Sequence, residues 1–147
     1  MKPSLPRGGS VAIGYMMFGF VGTLIYWGVW FLVDPSLIAA RETAAHYVHE
    51  NSFPIGDAWM AGTGLLGSIA LVQRRESALL WMLLCASASI YLGCLDVLYN
   101  LNTNLYVESD GVELAIEVIV NLATLTGGVY GIWFAWSTRD ETRSWRR

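Results

Sequence analysis

The sequence predicts an all-α polytopic membrane protein: a four-helix transmembrane bundle, with an outer interfacial helix between its first and second spans. Three observations predict it. The 147 residues are 54% hydrophobic and 14% charged, with a mean hydropathy of +0.44. A soluble domain carries about 25% charged residues. Four apolar stretches recur along the chain, and spanning a bilayer takes about 20 mostly apolar residues. The positive charges also fall in alternate links, as the topology of a multi-pass protein requires.

The first span is read over about 11–33, a stretch with no charged residue, apolar on every side. A soluble bundle helix would carry an amphipathic stripe instead. The run is also too long for a cleaved secretory leader, and no small-residue cleavage site follows it. The second span covers about 55–72 and carries Asp57 near its start. The third covers about 78–101, interrupted by Asp96. The fourth covers about 112–136, with Glu113 and Glu117 near its start. Residues 137–147 are read as a cytoplasmic tail, and residues 1–147 as a single transmembrane domain.

Of the 9 Lys and Arg residues, Lys2, Arg7, Arg74, Arg75, Arg139, Arg143, Arg146 and Arg147 share one side of this topology, and only Arg41 lies opposite. The positive-inside rule then gives a multi-pass cell-membrane protein with both termini cytoplasmic. Trp27 and Trp30 near the outer end of the first span, and Trp81, Trp133 and Trp136 near inner ends, occupy the aromatic-belt positions.

Between the first two spans, about 36–51 reads as an amphipathic surface helix. Asp34-Pro35 ends the first span and starts the next helix, because proline disfavours helix at the residue before it and suits a first helical position. Glu42, His46 and His49 then fall on one polar face at i, i+4 and i+7. That spacing suits zinc or iron, with Glu50 or Glu113 as further ligands. The solvated face of an interfacial helix is the stronger expectation, so no metal is assigned.

Lipid solvates apolar side chains as well as a neighbouring helix does, so packing relies on small and polar residues. Gly62, Gly64, Gly67 and Ser68 supply them in the second span. Cys85, Ser89 and Gly93 do so in the third, and Thr124, Gly127, Gly128 and Gly131 in the fourth. Cys85 and Cys94 are nine residues apart, about 13 Å along a helix. That exceeds the roughly 7 Å a disulfide tolerates, so both are read as small buried residues.

The most informative pattern is vertical. Up-and-down threading carries Asp34, Asp57, Asp96, Glu113 and Glu117 to one depth, near the outer end. Asp96 and Asn100 share a helix face at i, i+4; Glu113, Glu117 and Asn121 share another. No Lys or Arg falls within the spans to neutralise them. Ionisable groups inside spans usually face an interior cavity and mark a site. The expected site therefore has Asp96, Glu117 and Asp57 as acid–base groups. Asn100, Glu113, Asn121, Tyr99, Trp59 and Tyr91 would bind the ligand, with Tyr99 donating a hydrogen bond to Asp96.

Three functions fit this arrangement. One is acid–base chemistry (isomerisation, epoxide opening or cyclisation) on a lipid-like or isoprenoid substrate. Another is a cation- or proton-coupled binding or transport module. The third is an accessory subunit of a membrane complex, in which the acids are interhelical glue. The expected partners are the lipid bilayer, such a ligand, and a second copy or a larger membrane complex. Nucleic acid is excluded, because the net charge is −3 and no basic footprint exists. No cofactor motif is present: there is no Walker loop, dinucleotide fingerprint, H-E-x-x-H or G-x-S-x-G.

Overall fold

A computed structural model describes residues 4–39, 41, 43–108 and 111–146, apart from the side chains of Val112, Glu113 and Arg146. The long helices are α1 (Gly9–Leu32), α3 (Pro54–Val72), α4 (Ala78–Asn102) and α6 (Gly111–Ser137). The short ones are α2 (Ala44–Glu50), α5 (Leu105–Glu108) and α7 (Arg139–Arg143). Four helical stretches, the second running from Ala44 to Val72, are long and apolar enough to cross a membrane. No strand occurs among the described residues. The chain is thus an all-α bundle that fits a small integral membrane protein. Its outward face agrees, since Leu32, Ile55 and Trp136 are among many large apolar side chains left exposed.

The bundle has two unlike ends. At the arginine end, the start of α1, the α3–α4 link and the end of α6 meet. Leu71, Ala78, Phe134 and Ala135 are buried there with essentially no exposure. The segment after Ser137 is no loose tail. Thr142 is fully buried, Trp145 packs on the core, and the Arg74 guanidinium lies 6.0 Å from the Trp145 ring centroid.

Helices approach closely where glycine permits. A Cβ on Gly128 would come within 2.9 Å of the Ala86 carbonyl oxygen and closer still to Ile90. A Cβ on Gly127 would overlap the Tyr15 ring, whose hydroxyl donates to the Ala123 carbonyl. Gly62, by contrast, faces open space. Cys85 is buried as expected, but Cys94 is exposed on the outer face of α4.

Contacts run from α1 to α3 to α4 to α6, while α1 and α6 barely touch. They meet where Tyr15 seats on Gly127 and where the Tyr130 hydroxyl donates to the Gly8 carbonyl at 3.3 Å. Both contacts lie toward the arginine end. Beyond them, the two helices face each other across a cavity.

The outer helix differs from its sequence reading. A 3₁₀ turn covers Pro35–Leu37, and α2 begins only at Ala44. Two caps explain the break. The Asp34 carboxylate accepts from the Ser36 amide at 2.9 Å, which holds its pKa below the usual carboxylate value. Extended Thr43 accepts from the His46 amide at 3.3 Å and starts a new helix. Between them, Arg41 reaches across to the Thr103 carbonyl at 3.1 Å and to Glu108 at 3.0 Å.

Alanine in place of glycine inside a helix ordinarily stabilises by about 1 kcal/mol. Gly14→Ala, with nothing within 4 Å of the new Cβ, should follow that rule in thermal unfolding in detergent. Gly128→Ala should instead lower stability by about 1–3 kcal/mol through overpacking.

Candidate functional site

The candidate site lies at the end opposite the arginines. The chemistry of each helix there is set by its terminal turns. Tyr26, Trp27 and Trp30 end α1, His46, His49 and Glu50 fill α2, and Asp57 opens α3. Asp96, Tyr99 and Asn100 end α4, and Glu117 and Asn121 lie early in α6. Each carboxylate meets a polar group from another helix. The Tyr26 hydroxyl donates to Glu50 Oε2 at 2.7 Å, and Trp27 Nε1 donates to Asp57 Oδ2 at 3.0 Å. Asn100 Nδ2 donates to Glu117 Oε1 at 2.6 Å, and His49 Nε2 stands 3.5 Å from Asp96 Oδ1.

Asp96 and Glu117 come together. Both line the same cavity, together with Asn121, and their carboxyl groups are close enough to interact electrostatically. Asn100 is fully buried, and it and Asn121 both donate to the Tyr106 hydroxyl, at 3.3 and 3.0 Å. Tyr106 sits in α5, between the two helices whose amides it bridges.

These groups form the polar end of a cavity of about 350 Å³. Glu50, Asp57, Asp96 and Glu117 line it, with His46 and Tyr26. Lower down its walls are apolar, from Met16, Met60, Leu92, Ile116 and Val120. No Lys or Arg is among its described lining residues. The cavity opens sideways through the gap between α1 and α6. Phe18 and Gly22 on one side, and Ile116 and Val120 on the other, both line it and are exposed.

Several expected roles change. Trp59 and Tyr91 point outward, with 54% and 65% exposure, and do not line the cavity. Helical phase explains both: at about 100° per residue, Trp59 stands some 200° from Asp57, and Tyr91 about 140° from Asp96. Tyr99 stacks face to face on His49, with centroids 3.5 Å apart, rather than bonding to Asp96. His46 and His49 are not on a solvated face; His46 is 2% exposed. Trp30 is buried, and its indole donates inward to Asn51 at 3.0 Å instead of anchoring in the belt. Asp34 is exposed and outside the cluster. Glu42 and the side chain of Glu113 lie outside the described residues.

Tyr26 was missed because α1 carries no charge. The signal was present: Tyr15, Gly19, Gly22 and Tyr26 recur at i, i+4, i+7 and i+11, one helix face, and all four line the cavity.

Removing Asn100 leaves Glu117 without its amide donor inside the bundle. Asn100→Leu should lower stability in detergent by about 1–3 kcal/mol, read as a shift of the thermal midpoint. Tyr91→Ala, on the outer face, should leave that midpoint unchanged. No protein-family model, curated protein or solved structure matches this chain, so the site speaks through its geometry alone.

Proposed function

We propose that the chain is a small intramembrane enzyme that performs acid–base chemistry on a lipid-like or isoprenoid substrate. The observation that carries this reading is the Asp96–Glu117 pair. Two carboxyls from different helices line the polar end of an otherwise apolar cavity of about 350 Å³. That volume falls within the range of small-molecule sites.

The substrate's hydrocarbon chain lies in the gap between α1 and α6, entered from lipid past Phe18 and Gly22. Its reacting group meets the carboxyls. In an isomerisation, one carboxyl of the pair gives a proton to an alkene carbon, and the cationic carbon that forms is stabilised by neighbouring carboxylates. The other carboxyl removes a proton from the adjacent carbon, so the double bond moves and one proton enters as one leaves. No oxidant or co-reactant is consumed. Epoxide opening and cyclisation begin with the same proton donation. Asp57, held by Trp27, adds a third carboxylate at the cavity wall. A paired acid and base of this kind contribute about 10²–10⁴-fold each in rate.

An accessory role within a homo-oligomer or larger membrane complex is the second reading. It is favoured by Gly14, Gly28 and Gly62, whose Cα atoms face open space and offer a smooth surface to another helix.

The test is purification in mild detergent, with mass spectrometry of bound lipid and assay against linear isoprenoid alkenes and epoxides. Asp96→Asn and Glu117→Gln should each lower turnover at least about 100-fold while the bound lipid remains. Gly22→Trp, which fills the gap without touching a carboxyl, should displace the lipid. Unchanged turnover in both carboxyl variants, or no conversion of any isoprenoid by the wild type, sinks the enzyme reading. A stoichiometric protein partner with no bound lipid favours the accessory role.

The same proposal sets the protein in the cell membrane with both termini cytoplasmic and the carboxylate end facing outward, following the arginine distribution. In a background lacking Cys85 and Cys94, a membrane-impermeant maleimide applied to intact cells should label Ser52→Cys and spare Ser4→Cys. The reverse pattern inverts the topology.

A further inference from the structure

His49, Glu50 and Asp96 bring one imidazole and two carboxylates together: a ligand atom from each lies within 4.8 Å of the others. Tyr26 satisfies one oxygen of Glu50, but the imidazoles are left with unpartnered nitrogens. His49 Nε2 is buried, has no hydrogen-bond partner, and stands 3.5 Å from Asp96 Oδ1 without hydrogen-bond alignment. His46, 2% exposed, aims Nε2 at the Glu50 carboxyl, 3.9 Å from Oε1, while its Nδ1 has no partner.

The geometry points to a divalent metal site of zinc type, held by His49, Glu50 and Asp96 with His46 at its edge.

Spacing is the first argument. Zinc binds nitrogen and oxygen ligands at about 2.0–2.2 Å in a tetrahedron. Neighbouring ligand atoms of such a site are therefore about 3.4 Å apart. The His49–Asp96 separation of 3.5 Å is long for a hydrogen bond and right for two ligands of one ion. All three ligand atoms lie within 4.8 Å of one another, so no pair must close by more than about 1.4 Å to reach that spacing.

Orientation is the second. Metal ligands are usually fixed by outer partners, and two of these three have one. The His49 ring is clamped between Tyr99, stacked at 3.5 Å, and Phe53, edge-on at 4.7 Å. Tyr26 holds Glu50 by Oε2, leaving Oε1 for the ion. Asp96 shares the cavity wall with Glu117 and Asn121.

Charge is the third. Two carboxylates inside an apolar bundle carry a charge that no Lys or Arg among the described cavity residues offsets. A divalent cation with neutral imidazole cancels it, and a neutral cluster is far cheaper to hold away from water than separate ions. The inference is argued from other contacts than the acid–base reading and changes it at one point: with Asp96 engaged by the ion, Glu117 and Asp57 are the cavity carboxyls left to give and remove the proton.

The experiment uses the full chain in detergent, stripped with a chelator, then titrated with Zn²⁺ or Co²⁺ and desalted. Elemental analysis should find one equivalent per chain, and Co²⁺ should give the intense visible absorption of a low-symmetry site. His49→Gln and Asp96→Asn should weaken retention by at least about 10–100-fold, the scale set by loss of an outer partner alone. Tyr26→Phe, which keeps every ligand, should weaken it by about 10-fold. A wild type that retains no metal, or shows only the weak spectrum of hydrated Co²⁺, overturns the proposal. So does metal that persists undiminished in both ligand variants. These readouts involve no substrate, so their failure leaves the roles of Asp96 and Glu117 in turnover standing.

Discussion

A carboxylate withdrawn from water into an apolar bundle must be met by a donor or a counter-charge. This constraint organises one whole end of the molecule. Glu50 of α2 is met by Tyr26 of α1, and Asp57 of α3 by Trp27 of α1. Asp96 of α4 faces His49 of α2, and Glu117 of α6 is met by Asn100 of α4. Each partner comes from a different helix. The acids therefore tie α1, α2, α3, α4 and α6 into one network, where lipid offers no hydrophobic drive for association. Interhelical glue and candidate pocket are here the same set of residues, because satisfying the acids is what gathers them.

The cavity follows from a contest between the two ends. At the arginine end, small residues let helices close on one another, and Tyr15 lodges against Gly127. At the carboxylate end, α1 is drawn by its tyrosine and tryptophans toward α2 and α3, not toward α6. The two helices diverge from the Tyr15 seat, and small residues at Gly19 and Gly22 do nothing to fill the space. A leucine at either position would project into it. The apolar gap is thus a consequence of which partner each end of α1 finds.

Much of this was legible in the sequence, and the limits have physical causes. The four long helices begin and end within about two residues of the apolar runs read from the sequence, because those runs are continuous in a way an amphipathic helix is not. The shared depth of Asp57, Asp96 and Glu117 followed from threading alone. Azimuth was harder. Asp96, Asn100, Glu117 and Asn121 were placed by i, i+4 spacing, whereas Trp59 and Tyr91 were chosen for chemistry without regard to their phase, and they face outward. The outer segment was misread because amphipathic spacing cannot see a cap: Thr43 restarts the helix and turns His46 and His49 toward the acids. Tyr106 was out of reach, since its role depends on a four-residue helix with no periodicity of its own.

The inward turn of α2 changes what the acid layer can do. Four carboxylates without a cation would hold protons and little else. With two imidazoles brought beside them, the layer acquires neutral nitrogen ligands and a second kind of proton carrier. The stacking of Tyr99 on His49 fixes one ring against Asp96, so the imidazole cannot swing to solvent to shed its partner. Toward the gap between α1 and α6 the layer presents its carboxylates, with the imidazoles of α2 packed beside them. The short helix between the first two spans is therefore part of the site's electrostatics and not a cover over it.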